Sequence, residues 1–319
     1  MLKCSYIIIS EVLALDIIEM RDGDIPVVKI SGIKNFDVGK VFDCGQCFRF
    51  DRVENSAHEN EFSGVAHGRY ISLAQDGDVI YLYGSDLESF DAIWCKYLDL
   101  ERDYDAVGRD ILAHCDSEAM QRAVEYGRGI RILAQDPFEC VISFIVSQNN
   151  NIPRIKKIIE SLSLRCGSPV EIKSSMEKHL SGKSSLYSFP GADALASLGE
   201  NGLFELKTGF RAKYIYDAAT RCLDGRLVID DIASAVDTES AINALCSVKG
   251  IGRKVASCAL LFGFGRYDAF PVDVWMKRVG EKYFGDEGRE LTGERFGEYA
   301  GIAQQYLFYY ERYNSLGSK

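Results

Sequence analysis

The chain is 319 residues long, enough for two domains or one large one. Hydrophobic residues make up 47% and aromatics 11%, ample material for a packed core, which excludes a disordered chain. With 47 Asp+Glu against 37 Lys+Arg the formal net charge is -10, which excludes a generally adhesive polyanion binder. A local basic surface stays open, because a phosphate within a Debye length of roughly 8–10 Å feels mainly its nearest charges.

Residues 5–20, SYIIISEVLALDIIEM, are apolar but interrupted by Glu11, Asp16 and Glu19. The stretch is too short and too acidic for a membrane span and lacks a cleavage-site pattern. One reading starts the protein at Met20 and leaves the preceding residues outside the domain; the other starts it at Met1. KVFDCGQCFRF (40–50) is rich in aromatic and β-branched residues and predicts a strand. RYISLAQDGDVIYLYG (69–84) predicts a hairpin around Asp76-Gly77. Leu87, Phe90, Trp94, Tyr97 and Leu98 share one face of a helix.

From about residue 117 the pattern is helical. Asp136-Pro137 caps a helix running to about Val146, and a second begins at Pro153. Phe204 to Cys222, Thr238 to Val248 and roughly 294–312 predict three more. Ten cysteines are present, and only Cys44 and Cys47 lie close together. The four histidines, His58, His67, His114 and His179, have no zinc-ligand spacing to them, so no zinc site is expected. Scattered cysteines of this kind read as reduced thiols in a reducing compartment.

Val248-Lys249-Gly250-Ile251-Gly252 joins two predicted helices and reads as a helix–hairpin–helix. Glycine takes φ > 0 and lets other backbone approach. The second helix starts after Gly252, so its free N–H groups point outward and make a phosphate site at Gly250 and Gly252. Such a site needs few basic side chains, which reconciles it with the acidic total. Ile251 would anchor the turn in the core. An ordinary helix corner with Gly250 as C-cap is the plainer alternative.

Lys254 falls in the first turn of that second helix. The helix dipole disfavours a cation there by roughly 0.3–1 kcal/mol. That is less than one pKa unit at about 1.36 kcal/mol. Desolvation would have to supply most of any shift to a neutral amine, which is a nucleophile suited to an imine with a sugar carbon. Asp273, in FPVDVWMKRV (270–279), is placed as an N-cap, or as a carboxylate that stabilises positive charge developing on a sugar ring. A surface lysine and a simple cap are the alternatives.

Together, VKGIGRKVASC and FPVDV resemble the helix–hairpin–helix glycosylases with a Gly/Pro-rich loop and an aspartate, the HhH-GPD superfamily. The lysine-bearing form resembles 8-oxoguanine DNA glycosylase/lyase, over residues from about 37 to about 312. The resemblance implies an α+β, mostly helical fold. An N-terminal antiparallel β-sheet domain (TBP-like) at 20–120 would precede an all-α HhH-GPD glycosylase domain at 121–319. The latter would hold the hairpin at about 238–264 and the loop with Asp273.

The resemblance also implies roles. Lys254 would attack C1′ of the damaged nucleoside, displace the base and leave a Schiff base, with Asp273 as its partner and β-elimination nicking the strand. GQCFRF (45–50) is similar to the family's GQ-x-FRW, which makes the carbonyl of Gly45 the acceptor for the N7–H that 8-oxoguanine has and guanine lacks. AQQYLF (303–308) is similar to A-Q-x-x-L-F: Phe308 would stack on the base, Gln304 bond its Watson–Crick edge and Cys258 cover the other face. In SQNNNIPRI (147–155), Asn149 would fill the gap left by the flipped base and Arg154 read the orphaned cytosine. In TGFRAKY (208–214), Arg211 would also read cytosine, with Phe210 as a wedge.

Trp275 stands where the family has histidine, so the phosphate-side contact would fall to its indole N–H. The iron–sulfur relatives place four cysteines after the hairpin; here Cys258 is the last, so no iron–sulfur cluster is expected. No cofactor is required on this resemblance, and a structural monovalent or divalent cation at the hairpin carbonyls stays open. The implied partner is double-stranded DNA containing 8-oxoguanine, without a membrane and with the protein a monomer. The implied place is the cytoplasmic nucleoid in a prokaryote or the nucleus in a eukaryote. The alternatives are a monofunctional alkyl-base glycosylase of the same fold, which lacks the hairpin lysine, and a non-catalytic DNA-binding module.

Overall fold

The computed structural model of the protein describes residues 3–9, 14–182, 186–285 and 291–316. Its N-terminal part is one antiparallel sheet of seven strands: β1 (Lys3–Ile9), β2 (Ala14–Asp22), β3 (Ile25–Ser31), β4 (Phe50–Arg52), β5 (Asn60–Ala66), β6 (Arg69–Asp76) and β7 (Val79–Tyr83). Their order is β1-β2-β3-β7-β6-β5-β4. The hairpin expected at Asp76-Gly77 is present, with Asp76 paired to Val79 and Gly77 at φ 57. The helical turn expected after residue 87 also forms and buries Phe90, Trp94, Tyr97 and Leu98 against the sheet.

β2 pairs with β3 from Asp16↔Ser31 to Asp22↔Ile25 and buries Leu15 and Ile17, so the sheet domain begins ahead of residue 20. Residues 10–13 of the apolar 5–20 stretch lie outside the described residues.

KVFDCGQCFRF does not begin as a strand: Val38–Asp43 is a helix. The Asp37 carboxylate accepts from the Lys40 N–H at 2.9 Å, and Val38, Val41 and Phe42 form a buried stripe at helical spacing. A good N-cap and that stripe outweigh β propensity. Only Phe50 joins a strand, stacked 4.3 Å from Phe42.

The boundary between sheet and helices, which the sequence leaves uncertain near 100–125, falls before the helix Tyr104–His114. The helix Tyr104–His114 contributes Tyr104, Val107 and Ile111 to the same core as the helix Arg253–Gly263. The segment 170–182 then folds back over the outer face of the sheet, burying Met176 against Ile25, Val27 and Val65.

Most predicted helices are found, as Pro137–Ser147, Ile152–Cys166, Thr238–Cys246 and Arg253–Gly263. Phe204 to Cys222 is not one helix. Lys207 at φ 65 and Gly209 at φ 61 break it, and a regular helix resumes over Ala212–Leu223. The last helix likewise starts at Ala300, after a 3-10 stretch Gly293–Tyr299 kinked at Gly297, φ 71.

Candidate active site

The glycine hairpin forms as its spacing predicts. Gly250 has φ 82, and a Cβ there would lie 2.4 Å from the Tyr214 ring, so only glycine fits. Ile251 is 5% exposed and anchors the turn. Gly252 is the N-cap of the helix Arg253–Gly263, with nothing within 4 Å of a Cβ placed on it, so the helix N-terminus opens to the surroundings. The Lys249 N–H is already taken, donating to Asp217 Oδ2 at 2.8 Å. The Ile251 N–H is taken as well, donating to the Val248 carbonyl at 3.1 Å, which leaves the amides from Gly252 onward to face an anion.

Lys254 stands one turn inside the helix, half-buried, with its ammonium 5.7 Å above the Phe144 ring. Cys258, one turn further, is buried. Burial pushes its thiol up, while the Lys254 ammonium pulls it back and the Asp273 carboxylate pushes it further. Cys258 thus feels the charges of both Lys254 and Asp273. Asp273 itself is the N-cap of Val274–Tyr283, accepting at 2.9 Å from the N–H groups of Trp275 and Met276. The capping role is real, and it fixes the carboxylate in place.

The residues expected at the base come from both domains. Gly45 sits in the turn after Val38–Asp43 with φ 86, and a Cβ there would lie 3.6 Å from Ile152, 3.7 Å from Arg312 Nη1 and 3.9 Å from Phe308. The carbonyls of its neighbours are all engaged: Tyr313 donates to Asp43, Gln305 to Cys44 and Gln135 to Gln46. Among the described residues nothing donates to the Gly45 carbonyl. The turn is also pinned by Gln46, whose side chain bonds the backbones of Val41, Arg131 and Leu133. Gln46, fully buried, is a residue the motif match carried without a role.

Gln304 is 5% exposed, and its amide makes no hydrogen bond among the described residues. Phe308 meets the Trp275 ring edge-on at 6.4 Å. Trp275 thus forms a wall beside Phe308, and the Arg278 guanidinium stacks on it at 5.1 Å. Nothing in this arrangement reserves Trp275 for phosphate. An 860 Å³ cleft takes in Lys254 with Ser257, Asp268, Phe270 and Val272. A 570 Å³ cleft by Ile152, Phe48 and Lys156 adjoins the Gly45 side.

Asn149 is exposed at φ 46, the left-handed turn its residue type tolerates, and Arg154 is exposed with no side-chain partner among the described residues. Phe210 is 47% exposed beside them. Arg211 departs from expectation. It is 2% exposed, and its guanidinium donates to the Gln148, Asn149 and Thr208 carbonyls. Burial and the neighbouring Arg154 push it below the usual arginine value. It thereby buttresses the Asn149 turn. Among the described residues no three His, Cys, Asp or Glu side chains converge on a metal-sized site, and no helix is long and apolar enough to cross a membrane.

A sheet domain leading into a helix–hairpin–helix with a lysine in its second helix defines a base-excision DNA glycosylase architecture. The family model described as HhH-GPD superfamily base excision DNA repair protein matches residues 142–299. That described as 8-oxoguanine DNA glycosylase, N-terminal domain, matches 29–141. The chain belongs to the 8-oxoguanine DNA glycosylase/lyase family. It is 32% identical to the N-glycosylase/DNA lyase OGG1 of Arabidopsis thaliana over 297 residues, 84% of this chain and 75% of that one. The structure of the Clostridium acetobutylicum 8-oxoguanine glycosylase/lyase in complex with dsDNA containing cytosine opposite 8-oxoG superimposes with TM-score 0.83 at 36% identity. The match covers 94% of this chain and 98% of that one. The 3-methyladenine DNA glycosylase of Archaeoglobus fulgidus shares the fold, at TM-score 0.63 and 22% identity, over 88% of this chain and 94% of that one.

Proposed function

We propose that the protein excises 8-oxoguanine opposite cytosine from duplex DNA and then nicks the strand, with Lys254 as nucleophile. The supporting observations are Lys254 in the first turn of a helix whose N-terminus faces outward, and buried Cys258 one turn on, which feels the charges of both Lys254 and Asp273. The damaged nucleotide must leave the stack, at a few kcal/mol, to reach the lysine. Lys254 Nζ attacks C1′ as the N9–C1′ bond breaks and the base departs with the electron pair and a proton. Asp273 stabilises the positive charge that develops on the sugar. The lysine nitrogen then expels O4′ from C1′, O4′ taking a proton as the sugar ring opens, and the resulting imine acidifies the C2′ hydrogen, whose removal as a proton expels the 3′ phosphate by β-elimination. Gly45, Gln304, Phe308 and Cys258 hold the base. Arg154 reads the orphaned cytosine, Asn149 and Phe210 occupy the gap, and Gly250 and Gly252 bind backbone phosphate. The reaction belongs where the DNA is, nucleoid or nucleus.

The alkyl-base reading is disfavoured by Lys254, and the binding-module reading by the convergence of Gly45 and Phe308. Borohydride trapping on a duplex with 8-oxoguanine opposite cytosine tests the proposal. A covalent adduct with the wild type and none with Lys254→Gln is expected. Base release by both proteins without an adduct would mean a water-using glycosylase and would sink the lysine role.

A further inference from the structure

Arg312 sits one helical turn beyond Phe308 on Ala300–Leu316, in a position that no motif of the sequence singles out. Its guanidinium lies 5.9 Å from the Phe308 ring centroid and 5.4 Å from that of Tyr313. Nη1 lies 3.7 Å from where a Cβ of Gly45 would be. The residue is half-buried, and among the described residues it forms no ion pair and no hydrogen bond. Asp43 feels its charge without pairing to it. Ring contacts occupy the face of a guanidinium and leave its N–H edge available. A half-buried cation with five donors and no acceptor lacks the partners that offset its desolvation.

We infer that Arg312 is a specificity-determining residue that donates a hydrogen bond to O8, the exocyclic carbonyl oxygen that the lesion has and guanine lacks, beside the N7–H that Gly45 accepts. The inference rests on the proposed 8-oxoguanine reading and extends it. In 8-oxoguanine the N7–H is flanked by two carbonyl oxygens, O6 and O8, so the edge runs acceptor, donor, acceptor. The unclaimed Gly45 carbonyl answers the central donor. A guanidinium N–H next to it answers one flanking acceptor, and a charged donor makes that bond stronger than a neutral one. Guanine would present N7 as a lone pair to the Gly45 carbonyl and has no O8 for Arg312, so the pair together favours the oxidised base over the normal one.

The experiment compares wild type, Arg312→Met and Arg312→Lys on two duplexes. One carries 8-oxoguanine opposite cytosine and is read by single-turnover base release. The other carries an abasic site opposite cytosine and is read by the rate of borohydride trapping. Methionine keeps the stem packed on Phe308 and removes the donors. Arg312→Met is expected to slow 8-oxoguanine release about tenfold or more, the range of one lost charged hydrogen bond, and to leave abasic-site trapping within about twofold. Arg312→Lys is expected to fall between. Unchanged release in Arg312→Met would overturn the inference and leave a packing role. An equal fall on both duplexes would also overturn it and point to a phosphate contact. Wild type that traps on the abasic site but releases no 8-oxoguanine would instead overturn the substrate reading itself, and the inference with it.

Discussion

The Gly45 backbone and the Phe308 ring face each other across the two domains, 3.9 Å from a Cβ position to a ring carbon. Two independent restraints hold them there. Gln305, on the same helix as Phe308, donates to the Cys44 carbonyl at 2.8 Å, and Tyr313 donates to Asp43 at 3.2 Å. The Gly45 turn and the helix that carries Phe308 are thereby locked as one unit.

Gly45→Ala should therefore damage base recognition more than lyase chemistry. The φ of 86 is strained for alanine by roughly 1–2 kcal/mol, and the methyl would enter the space between Ile152, Phe308 and Arg312. We expect 8-oxoguanine release to slow by at least about tenfold, the effect of that strain on a site set by one carbonyl. Trapping on an abasic site should persist. Loss of both together would show that the turn supports the whole site and not the base alone.

Arg154 and Arg211 should separate on mutation, although the sequence assigned both to cytosine. Arg154→Ala removes an exposed, unpartnered guanidinium, so the melting temperature should hold while release rates opposite the four bases converge. Arg211→Ala deletes a buried cation bonded to three carbonyls and should lose about 2–4 kcal/mol of stability, seen by chemical denaturation. An Arg211→Ala protein as stable as wild type would contradict the buttress.

The hairpin glycines should also differ. A methyl at Gly250 overlaps the Tyr214 ring at 2.4 Å and sits at φ 82, so Gly250→Ala should destabilise by about 2 kcal/mol or more through overpacking and strain. Gly252 has an ordinary φ of -100 and open space around it, so Gly252→Ala should keep stability and weaken only DNA binding. Fluorescence anisotropy with a short duplex, beside thermal melts, distinguishes the two. Equal destabilisation would mean that the hairpin is built on different contacts.

Much of this was legible in the chain itself, because local rules dominate in the hairpin, in the capped helices and at the Asp76-Gly77 turn. The helix at Val38–Asp43 was hidden by its β-branched residues, although Asp37 was there to cap it. The break near Gly209 was hidden because apolar spacing continues through it while Lys207 and Gly209 turn left-handed. Motif similarity placed Arg211 by its position, but burial and three carbonyls decide what its guanidinium does. The free carbonyl of Gly45 and the place of Arg312 depend on chain segments far apart in sequence, which no spacing encodes.

Glu139 makes the stability of the fold depend on pH. It lies in the first turn of Pro137–Ser147, and burial pushes its carboxyl up from the ordinary 4.5 to about 7, against the opposing pull of Arg49. The Arg49 Nη1 lies 3.8 Å away, too far for a hydrogen bond to hold the charged form. The folded state thus binds this proton more tightly than the unfolded chain. Its contribution is fully present below about pH 4.5 and is lost as pH rises through about 7. Thermal melts from pH 5 to 8 should show wild type losing stability over that window more steeply than Glu139→Gln, which keeps a neutral side chain of the same shape. The difference between the two profiles isolates Glu139 from the other titrating groups. Parallel profiles would mean that Arg49 keeps Glu139 ionised in the fold, and that the buried pair is charged throughout.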